Sequence, residues 1–204
     1  MRRSAILLGM IYFLCAVAGA WAQSNELSLG ASGVFTNSVN GHGIHETATN
    51  SGGGVLSYRH FSQPTGPGFE VNLGYTKNSQ NYLDTTDGTK TSVQAGIHEF
   101  TGAYVYRFKS GSIRPFLLAG GGFLVFNPTS SALNKADPDI SRQWQGAFLY
   151  GGGADFPVTK QLAIRAQFRG FIYKAPDFFG QNYALHTDDA MMMYEPTVGV
   201  VLRF

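Results

Sequence analysis

From residue 23 onward, apolar side chains recur at every second position, and no stretch sustains a helical period. The clearest run is QLAIRAQFRGFIY, residues 161–173. An extended chain puts Leu162, Ile164, Ala166, Phe168 and Ile172 on one face and Arg165, Gln167 and Arg169 on the other. Six further segments alternate in the same way. In 26–35, Leu27, Leu29, Ala31 and Phe35 oppose Glu26, Ser28 and Ser32, and in 53–61 Leu56 and Tyr58 oppose Ser57 and Arg59. In 68–77, Phe69, Val71, Leu73 and Tyr75 oppose Glu70, Asn72 and Thr76. In 93–108, Phe100, Tyr104, Tyr106 and Phe108 oppose Glu99, Thr101 and Arg107. In 143–156, Trp144, Phe148, Tyr150 and Phe156 oppose Gln145 and Asp155. In 192–204, Tyr194, Val198, Val200, Leu202 and Phe204 oppose Glu195, Thr197 and Arg203. RPFLLAGGGFLVF (114–126) is apolar on both faces, so its parity stays open. The pattern predicts eight strands.

The connections alternate between short and long. SQPTGP, KSGSI and PVTK are tight turns rich in Pro, Gly and Ser. The other gaps, starting after residues 35, 77, 126 and 173, are long and rich in Asn, Ser, Thr, Gly and Asp, lengths uncommon in compact soluble domains. In an up-and-down meander every second connection emerges at the same end, so short turns gather at one end and long loops at the other. That is the plan of a transmembrane β-barrel.

Composition sharpens this picture. Charged residues make up 14% of the chain and there are 26 glycines, against roughly 25% charged and about 7% Gly in soluble domains. Such a chain has too few charges to clothe a water-facing surface. A formal net charge of +2 without a basic run gives no support for nucleic-acid binding. The first 22 residues read as a cleaved secretory signal peptide: Arg2 and Arg3, an apolar run, then Ala20-Trp21-Ala22, with cleavage before Gln23. The apolar run is too short to span a bilayer as a helix. Residues 23–204 then form one domain, and Cys15, the single cysteine, leaves with the leader.

Alternation alone does not say which face turns outward, since a soluble barrel has the same two faces reversed. The polar face is small as well as lightly charged, with Gly30, Gly74, Ala103, Gly151, Gly153 and Gly199 among its members, which suits the narrow interior of an eight-stranded barrel. Aromatics sort to both edges of the apolar face: Phe69, Phe108, Phe116, Phe156 and Phe204 towards the short turns, and Phe35, Tyr75, Trp144 and Tyr194 towards the long loops. The final TVGVVLRF resembles the C-terminal assembly signal of bacterial outer-membrane barrels, with Thr197, Gly199, Leu202 and Phe204 at the pattern's places; Leu202 stands where an aromatic is common. In architecture the chain resembles the small OmpA-type (OmpA/OmpX-like) outer-membrane proteins. The resemblance implies an all-β, eight-stranded antiparallel up-and-down transmembrane barrel in the outer membrane of a Gram-negative-type bacterium. It also implies that first and last strands pair, that the barrel-assembly machinery reads the last strand, and that lipid and lipopolysaccharide surround the wall. Nothing after Phe204 supplies the peptidoglycan-binding domain that full OmpA proteins carry, so that tethering role is not expected.

Candidate chemistry is sparse. Arg59, Arg107, Arg165, Arg169 and Arg203 share inward parity with Glu70, Glu99, Asp155 and Glu195, which predicts a lumen charge network. Its bland reading is a filled, salt-bridged interior, and the alternative is an ion-selective path. HGIHE offers His42, His45 and Glu46, but in a Gly/Asn/Ser context without a helix to align them, so a solvated loop is expected rather than a metal. Asp137, Asp139, Asp188 and Asp189 read as solubilising. His98 with Glu99, or His186 with Asp188 and Asp189, lack the partnered serine that a lipid A-modifying enzyme would need. No cofactor and no catalysis are expected. The three glycine triplets lack the Gly-Lys-Ser/Thr of a phosphate loop. In the last long loop Asp177, Phe178, Phe179 and Tyr183 either contact a surface partner or fold back over the barrel mouth. The expected role is structural, stabilising the envelope and presenting loops for adhesion or partner contact, with a narrow porin-like channel as runner-up and a lipid-modifying enzyme third.

Overall fold

The computed structural model describes residues 25–129, 142–178, 187 and 189–204. The leader, Asp137 and Asp139, Phe179, Tyr183, His186 and Asp188 lie outside the described residues. Among the described residues every regular element is a strand: β1 (Asn25–Thr36), β2 (Val39–Gly41), β3 (Ile44–Ala48), β4 (Ser51–Phe61), β5 (Gly66–Asp84), β6 (Lys90–Arg107), β7 (Arg114–Pro128), β8 (Gln143–Pro157), β9 (Leu162–Lys174) and β10 (Ala190–Arg203).

Eight of them close into an antiparallel ring. β1 pairs with β4, each later strand pairs with the next, and β10 returns to β1 with Glu26 opposite Arg203 and Ala31 opposite Val198. Phe204 is docked at the base of this seam: its N–H donates to the Asn25 carbonyl at 3.0 Å, and its carbonyl accepts from the Asn25 N–H at 3.1 Å. A closed ring leaves no unpaired edge. Backbone bonds along the seam fall at Asn25/Phe204 and again at Asn37, whose N–H donates to the Met192 carbonyl. The same spacing puts Gly33 and Pro196 at a hydrogen-bonded position, yet the seam has no pairing there. Proline has no N–H, so one rung is missing.

The long loops differ from the sequence expectation in two places. Residues 78–84 and 90–92, expected as loop, continue β5 and β6 beyond the ring as a projecting hairpin. There Asn78, Gln80 and Tyr82 face inward, and the alternation runs through polar residues that hydropathy does not detect. The hairpin tip is set by Asp84 and Asp87 carboxylates, which accept the N–H groups of Thr86 and Thr89 at 2.7 and 2.8 Å. The first long loop also carries structure. β2 and β3 form a two-residue hairpin in which both central residues, His42 and Gly43, have positive φ (50° and 79°), the geometry that matches strand twist. β3 then pairs with the projecting half of β5.

The open parity of 114–126 resolves with Phe116, Leu118, Leu124 and Phe126 inward and Leu117 and Phe123 outward. Phe116, expected in the outer aromatic rim, is buried in the lumen. The strand is apolar on both faces because its inner Phe116 lies under the charges described below, while its inner Leu124 and Phe126 belong to the apolar filling of the mouth. The glycines of the inner face let strands come together: a Cβ on Gly120 or Gly122 would collide with the backbone of β6.

Candidate functional site

The lumen is the most chemically loaded region. Below the mouth it buries five guanidinium groups (Arg59, Arg107, Arg165, Arg169, Arg203) and five carboxylates (Glu26, Glu70, Glu99, Asp155, Glu195). Strand register sets up several of the contacts, since Arg59 lies opposite Glu70, Asp155 opposite Arg165 and Glu195 opposite Arg169. Near the short turns Glu26 and Asp155 are the hubs. Glu26 accepts hydrogen bonds from Arg107 (2.7 Å), Arg165 (2.8 Å) and Arg203 (2.9 Å). Asp155 accepts from Arg165 Nε at 2.7 Å and from Arg203 at 3.2 Å. Arg59 pairs with Glu70 and also reaches Gln167 at 3.3 Å.

Higher up, Arg169 spans the lumen with a two-pronged bond to Glu99, 2.8 Å at each oxygen, while pairing with Glu195. Thr101 donates to Glu99 and Ser32 to Glu195, each at 2.6 Å. Aromatic rings fill the remaining faces. Arg59 lies 3.9 Å over Phe116 and Arg107 3.8 Å over Phe61. A void lined by Ser28, Arg165, Gln167 and Thr197 measures about 10 Å³, room for at most one water.

Glu26 is the residue that sequence reasoning left out of the network, although it shares the inward parity of β1. The signal was available: four carboxylates against five arginines leaves one positive charge over, and a buried unpaired charge is costly.

The long-loop end has a different filling. Val34, Ile44, Ile97, Leu124, Phe126, Phe171, Met191 and Met193 pack together under the β2–β3 hairpin. Phe178, for which the sequence leaves surface contact and folding back over the mouth both open, takes the second course: it is fully buried and stands edge-on to Phe126, centroids 6.4 Å apart. It corks the mouth, because a ring beside an apolar pocket gains more by burial than by display. The neighbouring Asp177 is half-buried. Tyr82 donates to the Pro176 carbonyl at 2.7 Å and so ties this segment to β5.

Glu46 also departs from expectation. It is not in a solvated loop with His42 and His45 but beneath the hairpin, 0% exposed, accepting a bond from Thr187 at 3.2 Å. Burial pushes its carboxyl up to about 7. His45 instead pairs with Asn40 at 2.5 Å. His98 and Glu99 separate to opposite faces, His98 against the outer Tyr75 ring and Glu99 in the lumen. Among the described residues no three His, Cys, Asp or Glu side chains converge on one point.

The outer wall is apolar. Leu29, Val71, Leu73, Phe100, Leu117, Phe148, Ile164, Val198 and Val200 are all exposed, flanked by Phe69 and Phe156 near the short turns and by Tyr75 and Trp144 near the long loops. Of the terminal segment, Thr197 faces the lumen, Leu202 faces out, and Gly199 lies against the Leu29 carbonyl where a Cβ would not fit. Residues 8–204 match the model of the outer membrane protein beta-barrel domain family. The chain belongs to this family. Its exposed apolar wall is therefore a lipid-facing surface in a bacterial outer membrane, with short turns on the periplasmic side and long loops outside.

Solved structures show the same fold. Neisserial surface protein A (NspA) aligns with a TM-score of 0.58 at 12% identity, covering 88% of this chain and 97% of that one. OprG of Pseudomonas aeruginosa aligns with a TM-score of 0.59 at 12% identity, covering 90% and 97%. Ail, the attachment invasion locus protein of Yersinia pestis, solved with the heparin analogue sucrose octasulfate, aligns with a TM-score of 0.50 at 16% identity, covering 89% and 99%. No curated protein matches the sequence.

Proposed function

We propose that the protein is a non-enzymatic, non-conducting barrel that stabilises the envelope and presents its long-loop end for contact outside the cell. The observation that carries the first half is the lumen itself. Among the described residues, ten buried charged groups of the lumen sum to zero and bridge its walls, and an apolar core lies above them. An ion crossing this interior would have to break several buried pairs, each costing about 3–5 kcal/mol to disrupt. Planar-bilayer recording tests it: a pure sample is expected to show no stable openings, and reproducible unitary conductance would replace this reading with that of a narrow channel.

Surface contact is supported by the projecting sheet of β2, β3, β5 and β6. Its outer side carries a cleft of about 380 Å³ lined by His45, Thr47, Asn81, Leu83, Lys90 and Ser92. These donors and acceptors, with the Lys90 ammonium, suit a polar, anionic partner such as a sulfated or phosphorylated glycan, including lipopolysaccharide sugars. The fold is shared with Ail, whose solved complex holds a sulfated sugar. Binding of heparin and of lipopolysaccharide to the double variant His45→Ala, Lys90→Ala, compared with the parent, tests this: equal binding would remove the cleft from the account. Export through the general secretory pathway by residues 1–22, and reading of Thr197, Gly199, Leu202 and Phe204 by the assembly machinery, complete the proposal.

A further inference from the structure

The β2–β3 hairpin lies across the barrel mouth with its underside buried. Val39, Ile44 and Glu46 occupy that underside, and Glu46 sits opposite Val39 on one side and Tyr82 on the other. Its Oε2 takes the Thr187 hydroxyl, while Oε1 is buried with no hydrogen-bond partner. The backbone of Thr187 presses so closely on Gly41 that a Cβ there would not fit, so hairpin and Thr187 form one packed unit. The titratable groups that face Glu46 are Tyr82 from β5, Tyr173 from β9 and Asp177 from the segment after β9. None brings a positive charge; the Tyr82 hydroxyl, like that of Thr187, favours the carboxylate, but burial outweighs both, and Asp177 adds a charge of the same sign.

We propose that Glu46 is a proton-operated latch: as the neutral acid it keeps the hairpin and Thr187 seated on the mouth, and as the carboxylate it loosens them. A neutral acid needs no counter-ion and carries an O–H for the partnerless side of the group. A carboxylate in the same place is repelled by Asp177 and stabilised by water, which reaches it only if the hairpin lifts. The direction of the pH effect follows. The carboxyl titrates near 7 when seated and near 4.5 when free, so the seated state holds more protons between these values. Its advantage is complete below the lower value and is lost as pH rises through the upper. Acidification outside the cell therefore tightens the mouth. The latch acts whether or not the outer cleft binds a glycan.

Methyl NMR of the barrel in lipid nanodiscs, from pH 5 to pH 9, tests the latch. Met191 and Met193 are buried under the cap and report on it, while Met192 on the outer face is the internal control. The expected result is a common midpoint near 7 for Met191, Met193 and Ile44, absent from Met192. The near-isosteric Glu46→Gln is expected to hold the low-pH spectrum throughout. Asp177→Asn is expected to lower the midpoint and Thr187→Val, which removes a bond favouring the carboxylate, to raise it. A titration that persists in Glu46→Gln, or no titration in the parent, overturns the proposal. If Glu46→Gln does not fold, the carboxyl carbon of Glu46 in the parent decides: titration in the ordinary carboxylate range also overturns it.

Discussion

Below the level of Glu99 and Glu195, the interior is built from charge, with every carboxylate reached by at least one arginine and rings inserted between guanidinium planes. Above that level, under the hairpin, it is built like the core of a small soluble protein, from Val, Ile, Leu, Phe and Met. Surroundings explain the division. The lower lumen is ringed by strand backbone whose outer side faces lipid, so its charged side chains are shut off from water and are satisfied by one another across a narrow tube. The mouth borders water, and there apolar burial is what drives a loop to settle. Ion pairs fix which strand faces which, while the apolar cork decides whether the tube is closed.

The largest expected effect lies in the charged half. Glu26→Ala takes one hub from Arg107, Arg165 and Arg203 and leaves a net buried positive charge. A loss of about 3–5 kcal/mol is expected, read as a lower urea midpoint for the shift between folded and unfolded gel mobility. A change below about 1 kcal/mol would mean that water reaches these groups, as it does at exposed pairs. In the apolar half, Phe178→Ala removes the ring that packs on Phe126. Its cost, about 3 kcal/mol by analogy with other buried rings, is expected as local opening: faster hydrogen exchange around Tyr82 and Phe126 with the global midpoint unchanged. If the global midpoint falls instead, mouth and lumen unfold as one unit and the division into two regions fails.

How far each half could be read from sequence follows from the same contrast. The lower lumen was legible because charge and period 2 coincide: Arg165 and Arg169 alternate with Ile164 and Phe168, so parity assigns them without a structure. Glu26 needed the further step of counting charge. Phe116 was misplaced because a strand apolar on both faces has no parity signal, and only its partner Arg59 says which side it takes. The mouth was harder. Tyr82 and Gln80 lie on an alternation whose outer members, Asn81 and Ser79, are polar too, so hydropathy is nearly flat along it. The hairpin had left a local sign in His42-Gly43, a dipeptide able to take positive φ twice, but the burial of Glu46 and Phe178 depends on contacts with residues far away in sequence.

A smaller effect separates charge from stacking in the lower half. Arg59→Lys keeps the positive charge beside Glu70 but gives up the flat contact with Phe116 and the bond to Gln167. The expected loss is about 1–2 kcal/mol, measured by the same urea midpoint. Equality with the parent would reduce Phe116 to a space-filling role.

The smallest effect is expected where the two halves meet. Val34 belongs to the apolar core and Glu195 to the ion network, and Gly33 and Pro196 lie beside them on the β1–β10 seam. The rung that Pro196 cannot donate leaves the Gly33 carbonyl without a backbone partner across the seam. Pro196→Ala supplies the N–H at a position where β10 is already extended and paired with Phe168 of β9. One restored hydrogen bond is worth about 0.5–1.5 kcal/mol, offset in part by the greater freedom that alanine gives the unfolded chain. The net expectation is a rise of a few tenths of a kcal/mol in stability, with slower exchange at residue 196 and its neighbours on β1. Exchange that slows only on the core side, leaving Ser32 and Thr197 unchanged, would show that the missing rung loosens the mouth alone. Slowing on both sides would make the gap a joint that the charged and apolar halves share.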